Sequence, residues 1–179
     1  AEQRMNAYPH EISGGQAQRI MIAMALACNP VLLIADEPTT ALDVTIQAQI
    51  LELMRDLRTR INTAIMLITH DLGVIAEMAD RVVVMYAGQI VESATVHQLF
   101  EAPLHPYSRA LLESMPVLGE QTQTLAVIEG TVPSMVNPPD GCRFAERCHK
   151  RFARCDSAPP LIKHQDRQVR CWLYATEGA

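Results

Sequence analysis

The chain has 179 residues, 49% of them hydrophobic, and a formal net charge of −5, which suits one globular domain with room for an appendage. Its longest unbroken apolar stretch, Ile20 to Cys28, is nine residues, whereas a membrane span needs roughly 18, so no segment is expected to cross a bilayer. The opening "AEQRMNAYPHE" lacks the apolar run of a signal peptide, which points to the cytosol, where disulfides are uncommon.

In chain order, a helix should open at Ser13 and stop at Asn29-Pro30, because the residue before proline is pushed out of the helical region. "VLLIA" (Val31 to Ala35), "AIMLIT" (Ala64 to Thr69) and "VVVMY" (Val82 to Tyr86) are short and almost wholly apolar. Lacking in–out alternation, they predict strands buried on both faces, as in a parallel sheet covered by helices. Behind the capping residue Asp43, Ile46, Ile50, Leu53, Leu57 and Ile61 recur at three- or four-residue spacing, which predicts an amphipathic helix. Helix and strand thus alternate, and the fold class is α/β. "AGQIVES" predicts a turn and a short strand, "TVHQLFEA" a short helix, and "HPYSRALLES" a helix with proline in its first turn. From Met115 to Pro139 proline and glycine recur without periodicity, which predicts a linker.

Three of these stretches carry phosphate chemistry. The first strand delivers Asp36 and Glu37 to its C-terminal end, the edge where open α/β sheets bind ligands. One carboxylate could help hold Mg²⁺ and the other orient a water; a solvated Asp-Glu pair is the plainer alternative. Ser13, Gly14 and Gly15 open a helix whose unpaired N–H groups could seat a phosphate, although a serine cap on a core helix is part of the same picture. His70 follows the second strand on the same edge as the carboxylates.

Together these residues resemble the ATP-binding cassette (ABC) ATPases. "ISGGQ" is similar to their signature motif with Ile12 in place of leucine, "VLLIADEP" to their Walker B strand, "TALD" (Thr40 to Asp43) to the D-loop, and "THD" around His70 to the switch histidine. The likeness runs from about Tyr8 to Glu92. By that resemblance Asp36 would hold Mg²⁺ through water, Glu37 would be the catalytic carboxylate that orients the attacking water, and His70 would contact the γ-phosphate. Ser13, Gly14, Gly15 and Gln16 would complete the ATP site of the opposite subunit in a head-to-tail dimer, with Asp43 in the D-loop. The resemblance implies the C-terminal part of an ABC ATPase domain at 1–95. No G-x-x-x-x-G-K-[ST] occurs; lacking that cradle for the β- and γ-phosphates, the chain alone is expected neither to bind nor to hydrolyse ATP.

Residues 96–179 read as an extension. "APLHPYSRALLESMP" and "GCRFAERC" are similar to the C-terminal extension of the ATPase subunits of dipeptide and oligopeptide importers, a group that includes nickel importers. The resemblance implies a second ATPase subunit, identical or paralogous, two membrane permease subunits, an external substrate-binding protein, and a peripheral place on the cytoplasmic face of the membrane. It does not decide between dipeptide, oligopeptide and nickel as cargo. A soluble ABC ATPase outside transport and a non-catalytic metal-binding module are the alternatives.

Cys142, Cys148, Cys155 and Cys171 are spaced C-x5-C-x6-C-x15-C. Disulfides would meet a reducing pool in the cytosol. Structural zinc commonly uses closer pairs, and a [4Fe–4S] cluster accepts varied thiolate spacings. Between Cys142 and Cys171 eight Lys/Arg face three Asp/Glu; Arg143, Arg147, Lys150, Arg151, Arg154 and Arg170 are expected to stabilise an anionic cluster. The resemblance agrees, since some dipeptide-importer ATPases carry such a cluster. Zinc and unliganded thiols stay open, and His149 is a conceivable ligand. Cys28 reads as a small buried hydrophobe. Too few aromatics accompany the basic segment for nucleic-acid binding to be expected.

Overall fold

A computed structural model describes residues 6–61, 63–115 and 127–175. The chain divides into two compact units, Ala1–Met78 and Ala79–Ala179.

In the first unit, Ser13 caps helix α1 (Gly14–Leu26), its hydroxyl accepting from the Gln16 N–H while the Gln16 side chain accepts from the Ser13 N–H at 3.1 Å. This reciprocal box satisfies two of the orphan donors at the helix start. Strand β1 (Leu32–Asp36) pairs in parallel with β2 (Ala64–Ile68), Asp36 opposite Ile68. Helix α2 (Val44–Ile61) crosses between them, and α3 (Leu72–Met78) follows. Asp43 caps α2 as expected, accepting from the Ile46 N–H at 2.9 Å. Ile22, Ile50 and Met54 form the core, with Leu33, Ala35, Ile65 and Leu67 directed inward from the sheet. Burying an Ile or Met side chain is worth about 1.5–3 kcal/mol, so this seam fixes α2 on the sheet. The expectation of strands covered on both faces is met on one only: α1 and α2 pack on one side, and Leu32, Ile34, Met66 and Ile68 are exposed on the other.

Gly15 owes its identity to packing. A Cβ there would stand 2.5 Å from Ile46 Cγ2, so the glycine lets α1 and α2 approach. Cys28, read as buried, is exposed, because α1 ends at Leu26 and leaves it in the following turn.

The third apolar run departs from the parallel-sheet expectation. Strand β3 (Arg81–Tyr86) forms an antiparallel hairpin with β4 (Gln89–Thr95), in a sheet of order β3-β4-β6-β5 completed by β5 (Ile162–His164) and β6 (Arg167–Val169). The reason is the two-residue link Ala87-Gly88, whose φ values of +46° and +75° suit the tight turns that match strand twist. Val82, Val84 and Tyr86 are buried while Val83 and Met85 are exposed, so the run does alternate; its outward side simply carries apolar residues. The hairpin, assigned by sequence to the cassette at 1–95, therefore pairs with strands of the extension.

A register shift between Val84 and Met85 makes Val91 the extra residue on β4. Bulges re-aim side chains, and here Val91 and Glu92, neighbours in sequence, are both buried. Glu92 has no exposed surface, and its two carboxyl oxygens accept from the N–H groups of Leu104 and His105, each at 2.9 Å. That fixes the start of α5 (Pro106–Glu113), which follows the short helix α4 (Val96–Glu101). Tyr107 then packs at a tilt against Tyr86 and edge-on to Phe144, with ring centroids 4.7 and 5.5 Å away. Of the expected linker, 116–126 lies outside the described residues, and 127–139 contains neither helix nor strand.

Replacing Glu92 by Ala strands two N–H groups, each costing roughly 1–3 kcal/mol when buried without a partner. The unfolding midpoint followed by Trp172 fluorescence should fall clearly, with Glu92→Gln in between. An unchanged midpoint would show that the pair of bonds does not hold the extension together.

Candidate functional site

Parallel register builds the first site. Because Asp36 lies opposite Ile68, the residues that leave the two strands emerge on one edge. The Glu37 N–H donates to the Ile68 carbonyl at 2.8 Å, one step beyond the ladder, and Glu37 then turns through a left-handed backbone (φ +46°). This places its Oε1 2.8 Å from His70 Nδ1, and its Oε2 accepts from the Thr40 hydroxyl at 2.8 Å. Both side chains are open to solvent, His70 at 82% and Glu37 at 36%.

The two groups shift one another. The bond from His70, then that from Thr40, holds the Glu37 carboxyl below its usual range, and the bond to Glu37 raises His70 above its ordinary value. The contact is therefore strongest between the two titrations, where carboxylate and imidazolium are both charged. Asp71, next to His70, caps α3 by accepting from the Gly73 and Val74 N–H groups at 2.9 and 3.2 Å, and Gln47 of α2 donates to its other oxygen at 3.3 Å. The loop that carries His70 is thus tied to α2.

The structure brings Glu37 and His70 into contact, with Asp36 adjacent in the chain. Ser13 and Gln16 are engaged with each other, and Gly15 is buried against Ile46; among the described residues no hydrogen bond joins them to Glu37 or His70. Thr40, quoted from sequence only as part of a loop motif, is a partner of Glu37 that the residue pattern gave no means of assigning.

In the second unit, Cys142, Cys148, Cys155 and Cys171 all line one cavity, together with Phe144, Lys150 and Trp172. All four are free thiols. The Cys142 N–H donates to the Cys155 carbonyl at 2.9 Å, an approach that requires Gly141: a Cβ there would lie 2.6 Å from the same carbonyl. Burial raises the thiols of Cys142 and Cys148, and that of Cys171 to about 11. Among the described residues no three His, Cys, Asp or Glu side chains stand close enough to hold one metal ion.

The arginines expected to face an anionic cluster are engaged elsewhere. Arg147 donates to the Ile128 and Glu129 carbonyls at 2.7 and 2.8 Å, Arg170 to those of Ile90 and Pro159 at 2.9 and 3.1 Å, and Arg143 to that of Ala87. Arg151 pairs with Asp156 at 2.9 Å, and Arg154 lies 4.0 Å above the Trp172 ring. A stretch with little regular structure has many free carbonyls, and guanidinium forks satisfy them. Of the basic group, Lys150 is the one that lines the cavity. Sequence reasoning also missed Glu92 and the part played by His105, whose imidazole is 1% exposed and whose pKa burial pushes down to about 4.

Known proteins share parts of this sequence. Residues 91–155 match the family described as "Oligopeptide/dipeptide transporter, C-terminal region", and residues 1–40 match "ABC transporter". The chain is similar to the oligopeptide transport ATP-binding protein AppD of Bacillus subtilis, 61% identical over 100% of this chain and 55% of AppD. The oligopeptide transport ATP-binding protein OppD of the same organism is 57% identical over 96% of this chain and 49% of OppD. The dipeptide transport ATP-binding protein DppD of Escherichia coli is 50% identical over 94% of this chain and 52% of DppD. A solved dimeric structure of the bacterial ABC transporter cassette MJ0796 overlaps 54% of this chain and 41% of its own at 34% identity, with a TM-score of 0.48. The chain spans about half the length of the curated relatives it matches. The likeness to oligopeptide and dipeptide transport ATP-binding proteins runs through both units of the chain.

Proposed function

We propose that the chain is the C-terminal part of an ATP-hydrolysing subunit that energises import of di- or oligopeptides. The observation that carries this reading is the 2.8 Å contact of Glu37 with His70 on one edge of the parallel β1–β2 pair. Phosphoryl transfer asks a protein mainly for positioning and charge stabilisation. A carboxylate whose pKa is lowered is a poor proton acceptor but a constant acceptor of hydrogen bonds, which suits Glu37 to orienting the attacking water. His70, raised toward the charged form, offers a positive group to the γ-phosphate and braces Glu37. Asp36 would hold Mg²⁺ through water, and the ion would neutralise charge on the phosphates. Ser13, Gly14, Gly15 and Gln16 would face the nucleotide of a second ATPase subunit, with Asp43 in the loop between subunits.

The P-loop is assigned to the half of such proteins that this chain does not span, and the exposed apolar side of β1 and β2 is the surface such a half would cover. Two permease subunits and an external binding protein complete the proposed assembly, with the ATPase peripheral on the cytoplasmic face. Among the described residues no helix is long and apolar enough to cross a membrane. The relatives named above are peptide-transport proteins, which favours peptide over nickel as cargo.

The finer reading of the extension is a [4Fe–4S] cluster held by Cys142, Cys148, Cys155 and Cys171. Four free thiols around one cavity support it. A cluster spreads its ligands over four irons. Such a group would supply a redox-active or cross-linking centre, and the thiols' part is to give up their protons and bind.

For the first reading, this chain is joined to the upstream half of AppD and ATP hydrolysis measured. Glu37→Gln should lower kcat by roughly 10²-fold or more, the scale seen when an aligned stabilising group is removed. A variant as active as its parent would remove Glu37 from the chemistry. NMR titration of His70 should give a midpoint above the ordinary 6.5, because the charged form gains a partner. Glu37→Gln should bring it down, and an unmoved midpoint would deny the contact in solution. Purified without oxygen, the chain should hold about four irons and four sulfides, lost on Cys148→Ser. Stoichiometric zinc without sulfide would overturn the cluster.

A further inference from the structure

The Glu37 carboxylate is gripped from two sides. His70, on the loop after β2, meets Oε1 through Nδ1 at 2.8 Å, and the Thr40 hydroxyl donates to Oε2 at 2.8 Å. The last torsion of a glutamate side chain is broad, so one anchor leaves the carboxylate plane free to turn, and a second on the other oxygen fixes it. A carboxylate offers about four lone-pair sites, so the grip leaves each oxygen room to accept from a water.

The loop that carries Thr40 holds it in place. The Thr40 N–H donates to the Glu37 carbonyl at 3.2 Å, closing a turn whose second residue is Pro38, its φ set by the ring. The Leu42 N–H donates to the Thr39 carbonyl at 3.2 Å, closing a second turn in which Thr40 is the second residue and Ala41 the third. Glu37 has φ +46° and Ala41 φ +61°. Non-glycine residues persist in that region only where the surroundings over-determine them, and such strain gathers at functional sites. Pro38 and Thr39 are buried, and Asp43 ties the far end of the loop to α2. Thr40 belongs to both turns, yet it is exposed and fills no core. The hydrogen bond its hydroxyl makes is the one to Glu37.

We propose that Thr40 is a positioning residue for Glu37: its hydroxyl, held by two overlapping turns, fixes the carboxylate plane against His70 so that Glu37 keeps one direction toward the attacking water. The proposal rests on the reading of Glu37 as the residue that orients that water.

The test compares Thr40→Val, which keeps the branched shape and loses the hydroxyl, with Thr40→Ser, which keeps the hydroxyl. Each is made in the chain joined to the upstream half of AppD, with and without Glu37→Gln, and kcat and KM for ATP are measured. The Tm of each 179-residue chain is recorded beside them. Thr40→Val should lower kcat by roughly 3- to 10-fold, the scale of one hydrogen bond. KM and Tm should stay where they were, because an exposed hydroxyl that steadies Glu37 acts in the transition state, and neither on ATP binding nor on folding. Thr40→Ser should recover most of the loss. In the Glu37→Gln background Thr40→Val should cost nothing further, since groups that act as a unit are not additive. An undiminished kcat in Thr40→Val, beside an impaired Glu37→Gln, would overturn the proposal and leave the role of Glu37 standing. An equal loss in both backgrounds would defeat it too, as would a serine variant as slow as the valine one, a change confined to KM, or a loss that follows a fall in Tm. A Glu37→Gln variant as active as its parent overturns the role of Glu37 and, with it, that of Thr40.

Discussion

A carboxyl group with no exposed surface organises the C-terminal unit. Glu92 reaches the interior because β4 carries an extra residue, and once inside it must find donors, since an unpaired buried acceptor is costly. The donors it finds are the N–H groups of Leu104 and His105. Those two bonds set where α5 begins, which in turn brings Tyr107 against Tyr86 and Phe144 and turns His105 toward the cysteines. Phe144 sits between two of the cysteines in sequence and is 2% exposed, so the aromatic cluster and the thiol cavity share a wall.

The N-terminal unit depends instead on strand register, and that was legible. The apolar runs at Val31 and Ala64 became parallel strands, Asp43 became the helix cap it was read as, and "ADE" and "TH" emerged on one edge. Local rules suffice here: a strand's last residue and the one after it have nowhere to point but the edge, and a capping aspartate acts over three residues. The Glu37–His70 contact was not itself readable, because it depends on a left-handed residue that a glutamate does not advertise.

What escaped was long-range or two-sided. "VVVMY" looked buried on both faces because its outward residues, Val83 and Met85, are also apolar; only the hairpin with β4 shows which side is covered. Gly15 sat in a plausible phosphate seat, yet its neighbour thirty-one positions on, Ile46, explains it through packing. Glu92 had a faint signal, the break in alternation at "IVES", with nothing to say where its partners lay. Charge counting misled most: the arginines beside the cysteines were read as answering an anion, and the partners they meet include backbone carbonyls, Asp156 and the Trp172 ring.

Those arginines do in the extension what disulfides do in many small secreted modules. Arg147 reaches 18 and 19 positions back into a stretch with neither helix nor strand, and Arg170 reaches 80 positions back to Ile90, extending the grip of the β4–β6 ladder. A guanidinium-to-carbonyl clasp contains no sulfur, so neither a reductant nor a chelator can cut it. These clasps therefore hold independently of the thiol side chains, and an arginine-to-lysine exchange, conservative on paper, would remove a forked clasp that an ammonium cannot form.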